Sequence, residues 1–340
     1  MKPNILLTSA GRRSYIVDYF KQSGKYNKIF ASNSEYTIAL QCADEYVLTP
    51  LIYSDEYIPF LIHYCRDNSI NIVLSLFDID CYMLAQHRSE FENNGICLVG
   101  GDAEFVKICN DKYSTSLWAV KHGFSSPQTF LTVDAAVQAI MEGELNYPVM
   151  IKPRWGMGSI GIYIVDDEDE LRLFAKKCID KTKKTFLRYE SSLTPQNPII
   201  IQELIDGDEY ALDIVNDLQG NYITTHVTKK YEMRGGETFM GMVVENESLM
   251  QLGHDIGVIS SHSGILSLDI MSQNNGKQQI IDLNCRISGT YPIVHLAGFD
   301  FPKLLADMYT NGNVNSEYLH VKYNQIVIKD LTPKVLNILQ

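Results

Sequence analysis

Leu266-Ser267-Leu268-Asp269-Ile270-Met271 and, after a short turn, Gln279-Ile280-Ile281-Asp282-Leu283-Asn284-Cys285-Arg286 alternate apolar and polar side chains. A period of two with one apolar set describes paired strands with a single buried face. Asn275-Gly276 between them reads as a two-residue type I′ hairpin turn. That turn places Asp269 directly opposite Asp282. Leu266, Leu268 and Ile270 then share the core face with Ile281, Leu283 and Cys285. Ser267, Asp269, Asp282, Asn284 and Arg286 share the other face. Two carboxylates opposed across a ladder sit about 5 Å apart, where like charges destabilise. At an effective dielectric near 20 the repulsion is about 3 kcal/mol. A divalent cation removes it, and an Asp, Asp, Asn oxygen set suits magnesium. The alternative is a solvated face with splayed carboxylates.

Upstream, Tyr147-Pro148-Val149-Met150-Ile151-Lys152-Pro153 leads into Arg154-Trp155-Gly156-Met157-Gly158-Ser159-Ile160-Gly161. The glycines fit G-x-G-x-x-G, yet Ile162-Tyr163-Ile164-Val165 follows rather than a helix, so this is not the dinucleotide motif. A glycine loop between two strands can fold its N–H groups over phosphates, with Lys152 adding a point charge. An ordinary glycine-rich surface hairpin is the alternative.

The first 110 residues alternate short apolar strands (Asn4–Thr8, Lys28–Ser32, Ile70–Leu76, Ile96–Val99) with helical stretches, which implies βαβ units and a parallel sheet. Ligands of such sheets bind beyond the strand carboxyl ends, here Ser9–Ser14 and Phe77–Asp80. Gly11 stands alone in the first strand–helix turn, and the second strand ends in Ser32-Asn33 with no ribose-binding acid, which argues against nicotinamide. Arg12-Arg13 can hold an anion at the helix start, or both can be merely solvated. A helix is expected from Asn110-Asp111-Lys112 to Gly123, and antiparallel strands beyond it.

The 340 residues allow two or three domains, and 45% hydrophobic against 21% charged residues is globular stock. A net charge of −12 argues against general affinity for nucleic acid or an anionic membrane. Seven scattered cysteines without CxxC spacing fit reduced thiols, and no 18-residue apolar run or signal peptide is evident, so a cytoplasmic protein is expected. His226, His262 and His295 lack ligand spacing and read as structural.

Taken in order, Lys112, Lys152 with its glycine loop, Gln202-Glu203-Leu204-Ile205 with Glu209, Asp269, and Asp282-x-Asn284-x-Arg286 resemble the ATP-grasp superfamily. Within it the chain is similar to the carbamoyl-phosphate-synthase-like group, as are the Ser-Ala-Gly-Arg-Arg start and the Leu76–Asp80 segment. The resemblance implies an α/β and α+β chain: a Rossmann-like pre-ATP-grasp domain (1–110), then a two-lobed ATP-grasp domain (111–325). The smaller lid lobe would span 125–205 with its glycine loop at 154–161, the metal-binding lobe 206–325, and a tail 326–340. It further implies ATP held by Lys112, Lys152, Gly156, Gly158, Ser159 and Gly161 at the phosphates. Gln202, Glu203 and Ile205 would meet adenine, and Glu209 the ribose. Asp269, Asp282 and Asn284 would take one or two Mg2+ ions, for which Mn2+ could substitute; Asp282 stands where glutamate is commoner.

Arg286 would stabilise the transferring phosphoryl group. Lys230 and Arg234, in a polar loop read over 229–238, would assist. Arg12, Arg13, Asp78, Glu237, Ser288 and Gly289 are candidates for substrate contact. The implied activity is an ADP-forming ligase that activates a small carboxylate, of an amino acid or related acid, as an acyl phosphate and joins it to an amine. The implied partners are small molecules, and a homodimer is compatible with the family. Bicarbonate activation of the carbamoyl-phosphate type and a non-catalytic nucleotide-binding scaffold are the rivals.

Overall fold

A computed structural model describes residues 2–330 and 332–336. The N-terminal strands β1 (Ile5–Thr8), β2 (Ile29–Asn33), β3 (Glu45–Leu48), β4 (Ile72–Ser75) and β5 (Cys97–Val99) form a parallel sheet in the order β3-β2-β1-β4-β5. β1 and β4 are buried throughout, as their uninterrupted apolar runs require of a sheet covered on both faces. The order reverses between β1 and β4, so the loops after these strands open a crevice. Arg12 and Arg13 stand in the first of those loops, and Asp78 opens the helix that follows the second. Inside, Asp80 accepts hydrogen bonds from the hydroxyls of Thr8 (2.5 Å), Ser9 (2.9 Å), Ser75 (2.7 Å) and Tyr57 (2.6 Å), tying the two strand ends together.

The expected single helix after residue 110 is two, Ala103–Asn110 and Lys112–Lys121, broken at Asp111. Asp111 caps the second helix by accepting from Tyr113 N and also receives the Arg154 guanidinium on both oxygens (2.7 and 2.6 Å). Gly123, at φ +83°, follows the helix end as expected.

A four-stranded sheet follows, built from β6 (Thr129–Phe130), β7 (Val149–Pro153), β8 (Tyr163–Val165) and β9 (Ile199–Glu203), ordered β6-β9-β7-β8. It carries its own core of Val149, Ile151, Val165, Leu171, Ala175, Ile199 and Ile201. β7 and β8 are antiparallel, so the glycine loop is a hairpin connection with no helix after it.

The third sheet contains β10 (Asp208–Asn216), β11 (Tyr222–Arg234), β12 (Glu237–Val244), β13 (Gly264–Ser272), β14 (Gln278–Asn284) and β15 (Ile326–Ile328), ordered β14-β13-β10-β11-β12-β15. It shares a core with the N-terminal sheet: Ile5, Leu7 and Ile72 pack in one cluster with Val215, Ile265, Ile293 and Phe301. Three sequence expectations are corrected here. Residues 326–328, expected in a tail, form β15 against Met240–Met242. The loop expected at 229–238 is instead the end of a long hairpin, because Gly235 and Gly236, both with positive φ (57° and 79°), supply a two-residue turn.

The third correction concerns the acidic hairpin. Gly276 N donates to Gln273 O and Gln273 N to Lys277 O, so the turn holds three residues rather than two and starts the ladder one residue out of step. Ile270 therefore faces Ile280, and a bulge at Ile281 restores the step, so that Asp269 does face Asp282 and Ser267 faces Asn284. Ile280 takes the core position, and Ile281 turns to the cleft.

Candidate functional site

The cleft lies between the glycine-loop lobe and the face of the third sheet that bears Asp269 and Asp282. A cavity of about 400 Å³ is walled there by Lys112, Lys152, Gly156, Gly158, Ser159, Gln202, Glu203, Ile205, Glu209, Lys230, Asp269 and Asp282. Every residue expected at a nucleotide except Gly161 is among them. Gly161 follows at φ +74°, where an added Cβ would lie 3.3 Å from Pro153 Cγ. Met150, Ile162, Leu204, Met271 and Ile281 add an apolar wall with room for a flat ring.

Lys112 reaches the cleft because its backbone N–H donates to the Arg154 carbonyl (3.1 Å), stapling its helix to the start of the glycine loop. Its Nζ donates to Asp282 Oδ1 (2.6 Å). Lys152 is fully enclosed, and burial together with the neighbouring Lys112 lowers its pKa to about 8 against the pull of Asp282, Asp269 and Glu209. Lys230 is buried between Glu209 (2.8 Å) and Asp269 (2.6 Å). Burial opposes its charge, but the two carboxylates outweigh that and hold its pKa above the ordinary value.

The two opposed carboxylates thus each hold a lysine, and neither is splayed into solvent. No cluster of three or more His, Cys, Asp or Glu that could hold a metal occurs among the described residues. The oxygens that would hold a cation are those of Asp269, Asp282 and the Asn284 amide, once Lys112 and Lys230 give up the two carboxylates. That set fits Mg2+, which takes a few protein oxygens and completes its octahedron with water and phosphate oxygens.

A second cavity, of about 390 Å³, adjoins the first and shares Met157, Gly158, Lys230, Gly236, Asp269 and Asp282 with it. Arg12, Arg13, Asp78, Glu237, Asn284, Arg286, Ser288 and Gly289 line it, with Phe77 and Phe186. Arg286 lies just past the end of β14, where its Nε donates to Asp78 Oδ2 (2.9 Å), its Nη2 lies 2.8 Å from the same oxygen as an ion pair, and its Nη2 donates to Asn284 Oδ1 (3.2 Å). Burial works against the guanidinium, and Asp78 outweighs it, so the Arg286 pKa stays raised. Asp78 therefore holds the arginine, a closer tie than the substrate contact expected for it. Arg13 donates to the carbonyls of Leu76 and Ile287 (2.9 Å each) and lies 3.7 Å from Glu237. Arg12 is exposed at the rim.

Arg234 is not brought to the site. It lies at the exposed end of β11, paired with Glu232 (2.7 Å) and stacked 3.6 Å over the Phe239 ring. Of the residues flanking the tight Gly235-Gly236 turn, Glu237 lines the second cavity while Arg234 lines neither. At Gly236 a Cβ would lie 2.5 Å from the Gly158 carbonyl group, so the hairpin tip and the glycine loop touch through bare backbone.

Three contributors carry no local sequence signal. Lys329, expected in the tail, follows β15 and donates to Glu237 (3.2 Å) and to the Gly289 carbonyl. With Arg13 it outweighs the effect of burial and lowers the Glu237 pKa. Glu190, on the short helix Arg188–Ser191, is buried, accepts from Tyr53 Oη (2.8 Å) and has its pKa pushed up to about 7 by burial. Asp111 is the anchor for Arg154 described above. His226 and His262 are buried with pKa values lowered to about 4 by burial.

Comparison with known proteins meets this geometry. Residues 145–254 match the ATP-grasp domain model, and residues 5–99 match a PylC-like N-terminal domain. Over those stretches the chain is similar to ATP-grasp and PylC-like domains, and its relatives include carbamoyl phosphate synthase large chains. The carbamoyl phosphate synthase large chain of Campylobacter jejuni is 21% identical over 258 residues, covering 72% of this chain and 23% of that relative. The chain thus spans about a quarter of that relative's length. Among solved structures, the biotin carboxylase domain dimer of Hydrogenobacter thermophilus 2-oxoglutarate carboxylase, in complex with MgADP, ADP and bicarbonate, superposes with a TM-score of 0.73 at 15% identity. The match covers 95% of this chain and 73% of that one. An L-amino acid ligase from Bacillus licheniformis gives 0.67 at 18% identity, covering 95% and 78%. Those likenesses are of fold. Among the described residues no helix is long and apolar enough to cross a membrane.

Proposed function

We propose that this chain is an ADP-forming ATP-grasp ligase that activates a small carboxylic acid, of an amino acid or related kind, as its acyl phosphate and transfers the acyl group to an amine. One observation carries the reading. The nucleotide-sized cavity and the second cavity meet at Lys230, Asp269 and Asp282, with Arg286 on the far side of the junction. A terminal phosphate lying over that junction would face an acid bound in the second cavity.

Each residue has a physical task in this scheme. Lys112 and Lys152, with the Gly156–Gly161 amides, neutralise and orient the phosphates. Asp269, Asp282 and Asn284 would hold Mg2+, which supplies charge neutralisation across the transferring group. Lys230 and Arg286 stand where negative charge builds, first on the phosphoryl group and then on the departing phosphate. An acid oxygen attacks the terminal phosphorus and ADP leaves. The amine nitrogen then attacks the acyl carbon, phosphate leaves with that oxygen, and the nitrogen loses a proton. Positioning and charge are all the protein has to supply, so no protein nucleophile is required.

The rivals are weaker. Bicarbonate has four heavy atoms, while the second cavity of about 390 Å³ is drug-sized and has two phenylalanines in its wall. A nucleotide-binding scaffold has no use for Arg286 held at the junction. A homodimer, the state named for the Hydrogenobacter domain, belongs to this proposal, and light scattering tests it. The activity itself is tested by ADP release with Mg2+ and hydroxylamine across amino acids, other small acids and bicarbonate. A hydroxamate from one acid supports the ligase. Hydroxylamine-independent ADP release with bicarbonate alone favours the carbamoyl-phosphate rival. ATP binding without any ADP release favours the scaffold.

A further inference from the structure

Beneath the junction, a small cavity lies between the lid helix Arg188–Ser191 and the end of β14, with Asp78, Asn110, Lys112, Glu190, Asp282 and Asn284 in its wall. Its volume of about 10 Å³ is that of one water-sized group. Three carboxylates reach it, and two are already compensated: Asp78 by Arg286 and Asp282 by Lys112. Glu190 is not. Its residue is 5% exposed, its Oε1 accepts from the neutral phenol of Tyr53, and its Oε2 is buried with no partner. A buried carboxylate oxygen left without a donor is costly, and such an orphan calls for a ligand. Asn110, whose Nδ2 donates to the Asp78 carbonyl (3.0 Å), keeps its own amide oxygen as a second acceptor.

An ammonium group is the ligand with matching properties. It is the size of a water, carries one positive charge and has three donors and no acceptor. We propose that Glu190 is a specificity residue that binds the ammonium group of a substrate in this cavity, an assignment that rests on the ligase reading above. The ammonium belongs to the amino acid being activated or to the amine that accepts the acyl group. In either case Glu190 excludes acids or acceptors that lack a cationic nitrogen at that place. Tyr53, from the N-terminal domain, fixes the carboxylate and stacks on Tyr189 with ring centroids 4.2 Å apart. The subsite is therefore complete only when the lid helix rests on that domain.

Glu190→Gln keeps the oxygen that accepts from Tyr53 and removes the charge. Tyr53→Phe keeps the charge and the ring stacked on Tyr189, and removes only the hydrogen bond between lid and N-terminal domain. Calorimetric titrations with MgADP present use L-alanine, L-lysine and L-glutamate, with propionate as the acid lacking nitrogen and ethylamine as the amine lacking a carboxylate. Glu190→Gln is expected to weaken at least one ammonium compound about tenfold or more. Propionate and MgADP should be unchanged, and Tyr53→Phe should shift nothing by more than about threefold. Weakening of an amino acid with ethylamine unaffected assigns the subsite to the acid, and weakening of ethylamine assigns it to the acceptor.

Equal losses in both variants would mean that Glu190 only latches the lid, and would overturn the proposal. So would failure of every ammonium compound to bind the wild-type protein, or a loss of MgADP binding in Glu190→Gln. ADP release by the wild-type protein is scored separately. Its absence with ammonium binding intact counts against the ligase and leaves the subsite standing.

Discussion

Replacing Asp78 with asparagine removes the one carboxylate that orients Arg286. The guanidinium donates one hydrogen bond to Asp78 Oδ2 (2.9 Å) and its Nη2 lies 2.8 Å from the same oxygen, with both side chains at most 10% exposed. At 2.8 Å and an effective dielectric near 20 the Coulomb attraction is about 6 kcal/mol, of which desolvation of the two ions cancels roughly half. Asparagine still offers one oxygen, so the expected loss of stability is about 3 kcal/mol. Function should lose more than this implies, because the guanidinium is then free to turn from the transferring phosphoryl group. A misplacement of about 1 Å in such a group costs on the order of 100-fold in rate. The assay is steady-state ADP release in Asp78→Asn, with KM for ATP and thermal unfolding measured on the same preparation. The account expects kcat to fall about 100-fold with KM for ATP within about threefold. Unchanged kcat with lowered thermal stability would refute the positioning role, and a raised KM for ATP alone would move Asp78 to the nucleotide.

Further outcomes follow from the same geometry. Asp282→Asn keeps the shape of the hairpin but removes half of the opposed carboxylate pair, so ADP formation should fall at least about 100-fold while ATP still binds, as read by single-turnover assay and calorimetry. Lys152, with a pKa near 8 in the folded protein against 10.5 for an ordinary lysine, binds fewer protons folded than unfolded between those values. Stability of the ligand-free protein should therefore rise as pH rises from about 8 to about 10.5, because the unfolded chain is the more protonated. Lys152→Met should be more stable than wild type at pH 7, by up to about 3 kcal/mol, and should lose that advantage at high pH. Denaturant titrations at pH 7 and 10 check the sign. Gly236→Ala forces a Cβ into the Gly158 carbonyl at a residue with φ +79°, which should part the hairpin tip from the glycine loop and raise KM for ATP several-fold.

How much of this was legible in the sequence differs by element. The parallel sheet of the first 110 residues could be read because β1, β2, β4 and β5 are buried runs with turn residues between them. β3 (Glu45–Leu48) went unread, since an edge strand with exposed Glu45 and Leu48 has no apolar signature. The facing of Asp269 and Asp282 was predicted, but by a turn that does not exist: a three-residue turn and a bulge at Ile281 offset each other. A local pattern cannot distinguish that pair of shifts from none, and it put Ile281 on the wrong face. Lys112, Lys152, the Gln202–Ile205 segment, Asp269, Asp282 and Asn284 came from an ordered motif, and the fold gathers them around two adjoining cavities. Arg234 was misread because its polar neighbours suggested a loop where two glycines allow a tight hairpin. Asp78 with Arg286, Tyr53 with Glu190 and Glu237 with Lys329 are pairs joined by tertiary packing across 208, 137 and 92 residues, and no window of sequence contains either relation.

The central claim is that a carboxylate oxygen attacks the terminal phosphate of ATP and leaves on inorganic phosphate. An acid identified by the hydroxylamine screen, labelled with 18O in its carboxylate, tests this by 31P NMR of the phosphate released in a complete reaction with amine. The account predicts one 18O atom in each phosphate. Phosphate that forms with ADP but carries no label from the acid would contradict it.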